Sequence, residues 1–376
     1  MGRLREQFQR VKGCAPMGVF DLAEQTGHEQ VLYGYDECSG LKTIIAIHST
    51  ALGPALGGLR FYPYENEQDA LIDVLRLSKG MSYKAAAAGL DLGGGKAVII
   101  GDSFTDKSER LFRAYGRIVD SLRGRYITAE DVGTTAKDME LIRRETMWAV
   151  GIPIPEGGSG DPSPATARGL FSGLTATSEF LWNTADLTGR RVAVQGVGKV
   201  GYYYVEQLVR AGCEVIVADK YGPAIDKVTE DFGVKAVDPE EILFVDCDIL
   251  SPCALGASLT EETIPKLATR VIVGAANNQL ATDEDGDRIA DRGILYAPDF
   301  VVNAGGLINV FEEMRGYEKT RAMHHVDSIH DATTRILEKA RHDGTNPHLA
   351  AVNVAEQRMK LIGDLRRFRR HGDDRN

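Results

Sequence analysis

Residues 190–221 read RRVAVQGVGKVGYYYVEQLVRAGCEVIVADKY. The apolar run from Val192 to Gln195 predicts a buried strand, which enters the turn Gly196-Val197-Gly198-Lys199-Val200-Gly201. A helix follows, then a second strand from Glu214 to Ala218 that ends on Asp219. A lone G-x-G-x-x-G says little. Here a strand precedes it, a helix follows it and an acidic residue closes the next strand, which together make a dinucleotide-binding fingerprint. The glycines permit a tight turn and close approach of a pyrophosphate to the helix N-terminus, and Asp219 can accept hydrogen bonds from ribose hydroxyls. A carboxylate there repels a 2′-phosphate, so NAD is favoured over NADP, although Lys220 stands beside it.

On the C-terminal side, strands and helices continue to alternate through Lys235 to Val237, CDILSP, RVIVGAANNQL and GILYAPDFVVNAGG. Such alternation predicts a doubly wound, mostly parallel sheet. Asn277 and Asn278 follow one of these strands and Asn303 another, so their amides gather at the C-terminal sheet edge. They serve either local polar satisfaction or ligand contact, since open α/β sheets bind at that edge. The charged, amphipathic helices from about Lys319 are expected to pack back across the molecule.

On the N-terminal side lies GIPIPEGGSGDPSPATARG, residues 151–169, whose glycine, proline and serine content marks a domain boundary. The fold class is α/β in two domains with the site in the cleft between them. Residues 1–150 form a first domain, onto which helices from about 345–376 return, and 151–344 form the Rossmann-type NAD domain. The helix after the boundary, from Thr166 to Trp182, opens on a hydroxyl that can face the cleft.

Within the first domain, EQVLYGYDECSGLKTIIAIHST (29–50) predicts a hairpin. TALGPALGGLRFYP (50–63) is too rich in glycine and proline for a regular element, and Gly57 and Gly58 can either offer bare N–H groups to an anion or simply connect. The stretch KGMSYKAAAAGLDLGGGKAVIIGD (79–102) sets Lys84 near the end of an amphipathic helix. Lys96 follows three glycines, which permit tight turns, and opens the strand Ala97 to Ile100. A single lysine in such surroundings snorkels to water. Two of them sharing a dry pocket repel one another, and burial and repulsion both favour a neutral lysine, which is a general base. Asp131, just past the strand Tyr126 to Thr128, fits either chemistry or helix entry.

The chain has 376 residues, a net charge of −10 and five cysteines. That charge opposes nucleic-acid binding. An odd cysteine count without C-x-x-C suggests neither a disulfide framework nor zinc, and His325 and His330 are poorly spaced as ligands, so no metal is expected. There is no run long enough to cross a bilayer and no secretory signal in MGRLREQFQRVKGC, which predicts a cytoplasmic protein. The first fifteen or so residues and the ending RRFRRHGDDRN read as a loose extension and a solvated tail.

The segments ALGPALGG, GMSYKAAAAGL, LGGGKAVIIGD, ITAEDVGTT, GSGDPSPATA, AVQGVGKVG, CDILSPCALGA, GAANNQL, GILYAPDFVVNAGG and NVFEEMRGY together resemble the amino-acid dehydrogenases of the glutamate/leucine/phenylalanine/valine superfamily, most of all its leucine-acting members. The likeness spans the chain apart from the N-terminal extension and the last dozen residues. It implies that Lys84, the Gly57-Gly58 backbone and Asn278 hold the substrate carboxylate, that Lys96 is the base that activates water, and that Asp131 shuttles protons to and from the amine. It further implies that Thr166 meets the nicotinamide amide, and that Leu56, Ala129, Leu307 and Val310 line an apolar side-chain pocket. Leu307 replaces a smaller valine and Leu59 a small hydroxyl residue of the family pattern.

The implied reaction is reversible, NAD-dependent oxidative deamination of a branched-chain L-amino acid, leucine first and valine or isoleucine next, to the 2-oxo acid and ammonia. Phenylalanine or tryptophan is the alternative substrate class, and an NAD-binding regulator without chemistry the alternative of another kind. A homo-oligomer, from dimer to octamer, is implied as well, with residues 1–150 as the substrate-binding and oligomerisation domain.

Overall fold

A computed structural model describes residues 18–254 and 256–366; the N-terminal extension and the tail beyond Arg366 lie outside them. The first domain opens with helix α1 (Val19–Thr26) and the antiparallel hairpin of β1 (Gln30–Asp36) and β2 (Leu41–Ser49). Strand β3 (Ala55–Tyr62), helix α2 (Glu67–Ala87), strand β4 (Gly93–Ile100), helix α3 (Glu109–Ser121), strand β5 (Tyr126–Glu130) and helix α4 (Ala136–Arg143) follow. The sheet order is β1-β2-β4-β3-β5, with β3 parallel to both β4 and β5.

Two expectations are corrected here. The glycine-rich stretch after Thr50 contains a full strand, β3, in the interior of the sheet, and Gly93 to Gly95 are extended residues of β4 rather than a turn before it. Close packing, not turning, explains both. A Cβ on Gly58 would stand 2.7 Å from the Asp131 Cβ, and one on Gly94 would stand 2.1 Å from the Ser82 amide nitrogen of α2. Glycine lets a helix and a neighbouring strand end approach the sheet more closely than any side chain allows.

Helix α2 starts at Asn66, whose side chain accepts the Asp69 N–H, and buries Leu71, Val74 and Leu75. Those three positions pack with Ile44, Ala46 and Val98 on one face of the sheet. Helix α3, capped by Ser108, covers the other face with Leu111, Phe112, Tyr115 and Val119. Thr135 and Asp138 form a reciprocal capping box that starts α4 immediately after Asp131.

The second domain begins with helix α5 (Ser163–Trp182), one turn earlier than the predicted start at Thr166, because Pro164 suits the first turn of a helix. Then come β6 (Arg191–Gln195), α6 (Lys199–Arg210), β7 (Glu214–Ala218), α7 (Gly222–Phe232), β8 (Lys235–Ala236), β9 (Ile249–Pro252), β10 (Val271–Ile272), α8 (Glu284–Asp291) and β11 (Leu295–Tyr296). The order β11-β10-β9-β6-β7-β8 is parallel throughout and reverses direction beside β6, as in dinucleotide-binding sheets.

The chain finishes with α9 (Asp299–Val302), α10 (Gly305–Glu313), α11 (Lys319–Asp327), α12 (Ile329–Asp343) and α13 (Pro347–Arg366). Helices α11 and α12 pack on α5, whereas α13 returns to α2 of the first domain. There Arg358 donates to the carbonyls of Gly89 and Leu90 and pairs with Asp91.

Candidate active site

Side chains alternate along a strand, so the register of β3, β4 and β5 decides which of them share a face. Gly58 lies opposite Ala129 and Arg60 opposite Val98. Counting by twos puts Leu56, Gly58 and Arg60 of β3 on the same face as Lys96 of β4 and Ala129 of β5, with Asp131 just beyond. That face carries α2, the helix of Lys84.

Lys96 is 5% exposed, and its Nζ lies 2.9 Å from Asp131 Oδ2. Arg60 Nε donates to the same oxygen at 3.1 Å. Burial lowers the pKa of Lys96, Asp131 opposes that shift and Arg60 reinforces it, and the net shift is downward. For Asp131, burial alone would raise the carboxyl, but Lys96 and Arg60 together outweigh it and hold the group down at about 2.

Lys84 reaches the second domain. Its Nζ donates to Asn277 Oδ1 at 3.0 Å, and the same oxygen accepts from Asn303 Nδ2 at 3.0 Å. Burial is the main influence on this ammonium and lowers it to about 8; Asp299 opposes the shift and Lys96 adds to it. The residue that meets Lys84 is therefore Asn277. Asn278, on which the resemblance places the carboxylate contact, is exposed as Asn277 is, and takes the left-handed backbone conformation, φ 52°.

The four expected pocket residues come together. Leu56, Ala129, Leu307 and Val310 belong to one buried apolar cluster with Val150, Ala304 and Ile308, edged by Met81, Phe311 and Met323. Helix α10 reaches the first domain there, and its Glu313 carboxylate accepts the N–H groups of Gly151 and Ser159 on the connecting segment. The Gly57 carbonyl is held by the buried Tyr126 hydroxyl at 2.7 Å.

In the second domain Gly196 has φ 96°, and a Cβ on Gly201 would lie 2.2 Å from the Gly196 carbonyl oxygen. Val197, Gly198, Lys199 and Val200 complete the turn into α6. The space before Gly198 is open to 4 Å. Asp219 Oδ2 accepts the Val197 N–H at 2.8 Å, which ties the end of β7 to the turn. Thr166 lies inside α5, donates to the Pro162 carbonyl at 3.0 Å and faces Gly306. Asn303 closes helix α9 rather than following a strand, but its amide reaches the Ala275 carbonyl after β10; the side chain is buried, and its carbonyl oxygen lacks a hydrogen-bond partner among the described residues. An open glycine turn at a helix N-terminus, a carboxylate at the end of the second strand and an unused acceptor at the sheet edge fit a nicotinamide dinucleotide.

Sequence reasoning missed Arg60, Asp73, Tyr64 and Glu313. The first was hidden by reading β3 as a loop; alternation along a strand would have placed it beside Lys96. Among the described residues there is no group of three or more His, Cys, Asp or Glu placed to hold a metal ion, and no helix long and apolar enough to cross a membrane.

Residues 28–148 match the dimerisation domain of the Glu/Leu/Phe/Val dehydrogenases, and residues 157–229 and 218–361 match the Glutamate/Leucine/Phenylalanine/Valine dehydrogenase domain. A leucine dehydrogenase of Bacillus cereus is 50% identical over 95% of this chain and 98% of its own length. A valine dehydrogenase of Streptomyces virginiae is 51% identical over 90% and 95% respectively. The crystal structure of L-tryptophan dehydrogenase from Nostoc punctiforme superposes with a TM-score of 0.79 at 44% identity, covering 92% of this chain and 99% of that one. With both domains matched and half of the residues shared over nearly the whole length, this chain belongs to the glutamate/leucine/phenylalanine/valine dehydrogenase family and is an amino-acid dehydrogenase.

Proposed function

We propose that this chain catalyses the reversible, NAD-dependent oxidative deamination of a branched-chain L-amino acid, acting in the cytoplasm as a homo-oligomer built on its first domain. The observation that carries this reading is the Lys96–Asp131 pair, 2.9 Å apart, set beside an apolar cluster in which Leu56, Ala129, Leu307 and Val310 meet. A glutamate side chain would bury its charge unpaired against those four residues, which disfavours an acidic substrate.

In this account Lys84, with the Gly57-Gly58 backbone, binds the substrate carboxylate, whose charge restores the ammonium form that burial weakens. Asp131 is ionised, so it takes a proton from the substrate ammonium before the Cα–H bond breaks. The bound dinucleotide supplies the hydride acceptor, seated by the Gly196 to Gly201 turn, Asp219, Thr166 and the Asn277–Asn303 amides. Loss of hydride leaves an iminium carbon. Lys96 removes a proton from the water that attacks it, giving a carbinolamine; Asp131 then returns its proton to the amine, and as ammonia leaves, the carbinolamine hydroxyl gives its proton to the freed Asp131 carboxylate, leaving the 2-oxo acid. The apolar walls exclude other water, so that reacting groups stay at near-attack distance.

A panel of L-amino acids assayed for NADH formation tests the substrate class. Leucine, valine and isoleucine are expected to have the highest kcat/KM; faster turnover of phenylalanine or tryptophan would overturn the assignment, as would a preference for glutamate.

A further inference from the structure

Asp131 is held from two sides, and only one of them belongs to the chemistry above. Arg60 Nε donates to Asp131 Oδ2, while Arg60 Nη1 donates to Asp73 Oδ2 at 2.7 Å. The Tyr64 hydroxyl donates to that same Asp73 oxygen at 2.7 Å, and Arg76 Nη2 reaches Asp73 Oδ1 at 3.1 Å. The run Lys96, Asp131, Arg60, Asp73 thus alternates in charge from β4 through the end of β5 and β3 to α2. Its inner members are well covered, with side-chain exposures of 6% for Lys96, 23% for Asp131, 21% for Arg60 and 17% for Asp73.

We propose that Arg60 is a positioning residue for deamination, fixing the Asp131 carboxylate against Lys96, and that Asp73 with Tyr64 fixes Arg60 in turn. The inference rests on the assignment of Lys96 as the base. A fork-shaped guanidinium gripping two carboxylates through different nitrogens sets both distance and direction, which a surface ion pair does not. Its permanent charge also acts on Lys96: both groups touch one carboxylate oxygen, so Arg60 disfavours a second cation there while Asp73 favours it. The other charged or titratable groups around the pair are Lys84 and Arg76 from α2, Tyr126 from β5, and Asp299 beyond Lys84.

The test uses the full chain with Arg60→Gln, Arg60→Lys, Asp73→Asn and Lys96→Ala, measuring kcat and KM across pH and NADH binding by fluorescence. For Arg60→Gln we expect kcat to fall about ten-fold or more. Its acidic limb should move to higher pH by about 0.5 unit or more, because Lys96 then holds its proton more tightly, and NADH affinity should stay unchanged. Arg60→Lys should recover part of the limb position. Asp73→Asn should move the limb the opposite way, to lower pH, a pair of shifts that general loosening of the fold would not produce. A profile for Arg60→Gln that superimposes on wild type after scaling, or limbs of the two variants that move together, overturns the proposal; if Arg60→Gln does not fold, an unmoved limb in Asp73→Asn does so alone. Activity in Lys96→Ala would instead remove the base assignment, so the two failures are separable.

Discussion

Lys84 Nζ lies 3.0 Å from Asn277 Oδ1, a contact between α2 of the first domain and the loop after β10 of the second. The cation in the cleft is therefore in touch with both domains at once. The ammonium is lowered to about 8 chiefly by burial, so a ligand carboxylate gains from restoring its charge. A site assembled this way couples ligand binding to the relative position of the domains, and water is excluded only when both are in place.

In the proposed side-chain pocket Leu307 is 8% exposed and belongs to the apolar cluster of Leu56 and Ala129. Leu307→Val removes one methylene and enlarges the space for the substrate. The ratio of kcat/KM for leucine over valine is expected to rise by about ten-fold, the value of roughly one methylene in discrimination. An unchanged ratio would place the side-chain pocket elsewhere.

The proposed account assigns cofactor choice to Asp219, whose carboxylate accepts the N–H groups of Val197 and Tyr221. Asp219→Ala removes the charge that opposes a 2′-phosphate. The ratio of kcat/KM with NAD to that with NADP is expected to fall at least about ten-fold. Measuring both cofactors at saturating amino acid checks it.

A second titratable pair, His48 buried and His28 half-buried, is expected to weaken the fold in acid. His28 and His48 pack edge to face, 5.0 Å between ring centres, and bond to Ser78 and Ser82 of α2. Burial is the main cause of their depressed values, about 4 for His28 and about 3 for His48, against 6.5 for a free imidazole. With folded pKa values below the unfolded one, the unfolded chain binds more protons. Their contribution to stability is thus complete above pH 6.5 and is lost as pH falls toward 4 and then 3. Urea unfolding at stepped pH should show this decline, and His48→Gln should flatten it.

Much of this was legible in the sequence, for reasons that differ by element. The second domain announces itself because β6, the glycine turn and β7 form one continuous local motif. The apolar pocket emerged only through the resemblance, since Leu56 and Leu307 lie 251 positions apart in the chain, 307 − 56, and no periodicity links them. Strand β3 and the start of β4 were misread because glycine normally weakens a strand, whereas here Gly58 of β3 makes room for Asp131 and Gly94 of β4 for α2. That one misreading concealed Arg60 and with it the Asp73 support. Asn277 and Asn278 were both visible as candidates, but which of the two faces Lys84 depends on the left-handed turn at Asn278, and adjacent identical residues give no sequence signal to separate them.

The central claim is that Lys96, buried against Asp131, is the base for the water that enters the substrate. Lys96→Ala tests it most directly, by single-turnover and steady-state NADH formation with leucine alongside NADH binding. The account predicts that kcat falls by about 10² to 10⁴ while NADH affinity is retained. Turnover within a few-fold of wild type would contradict it.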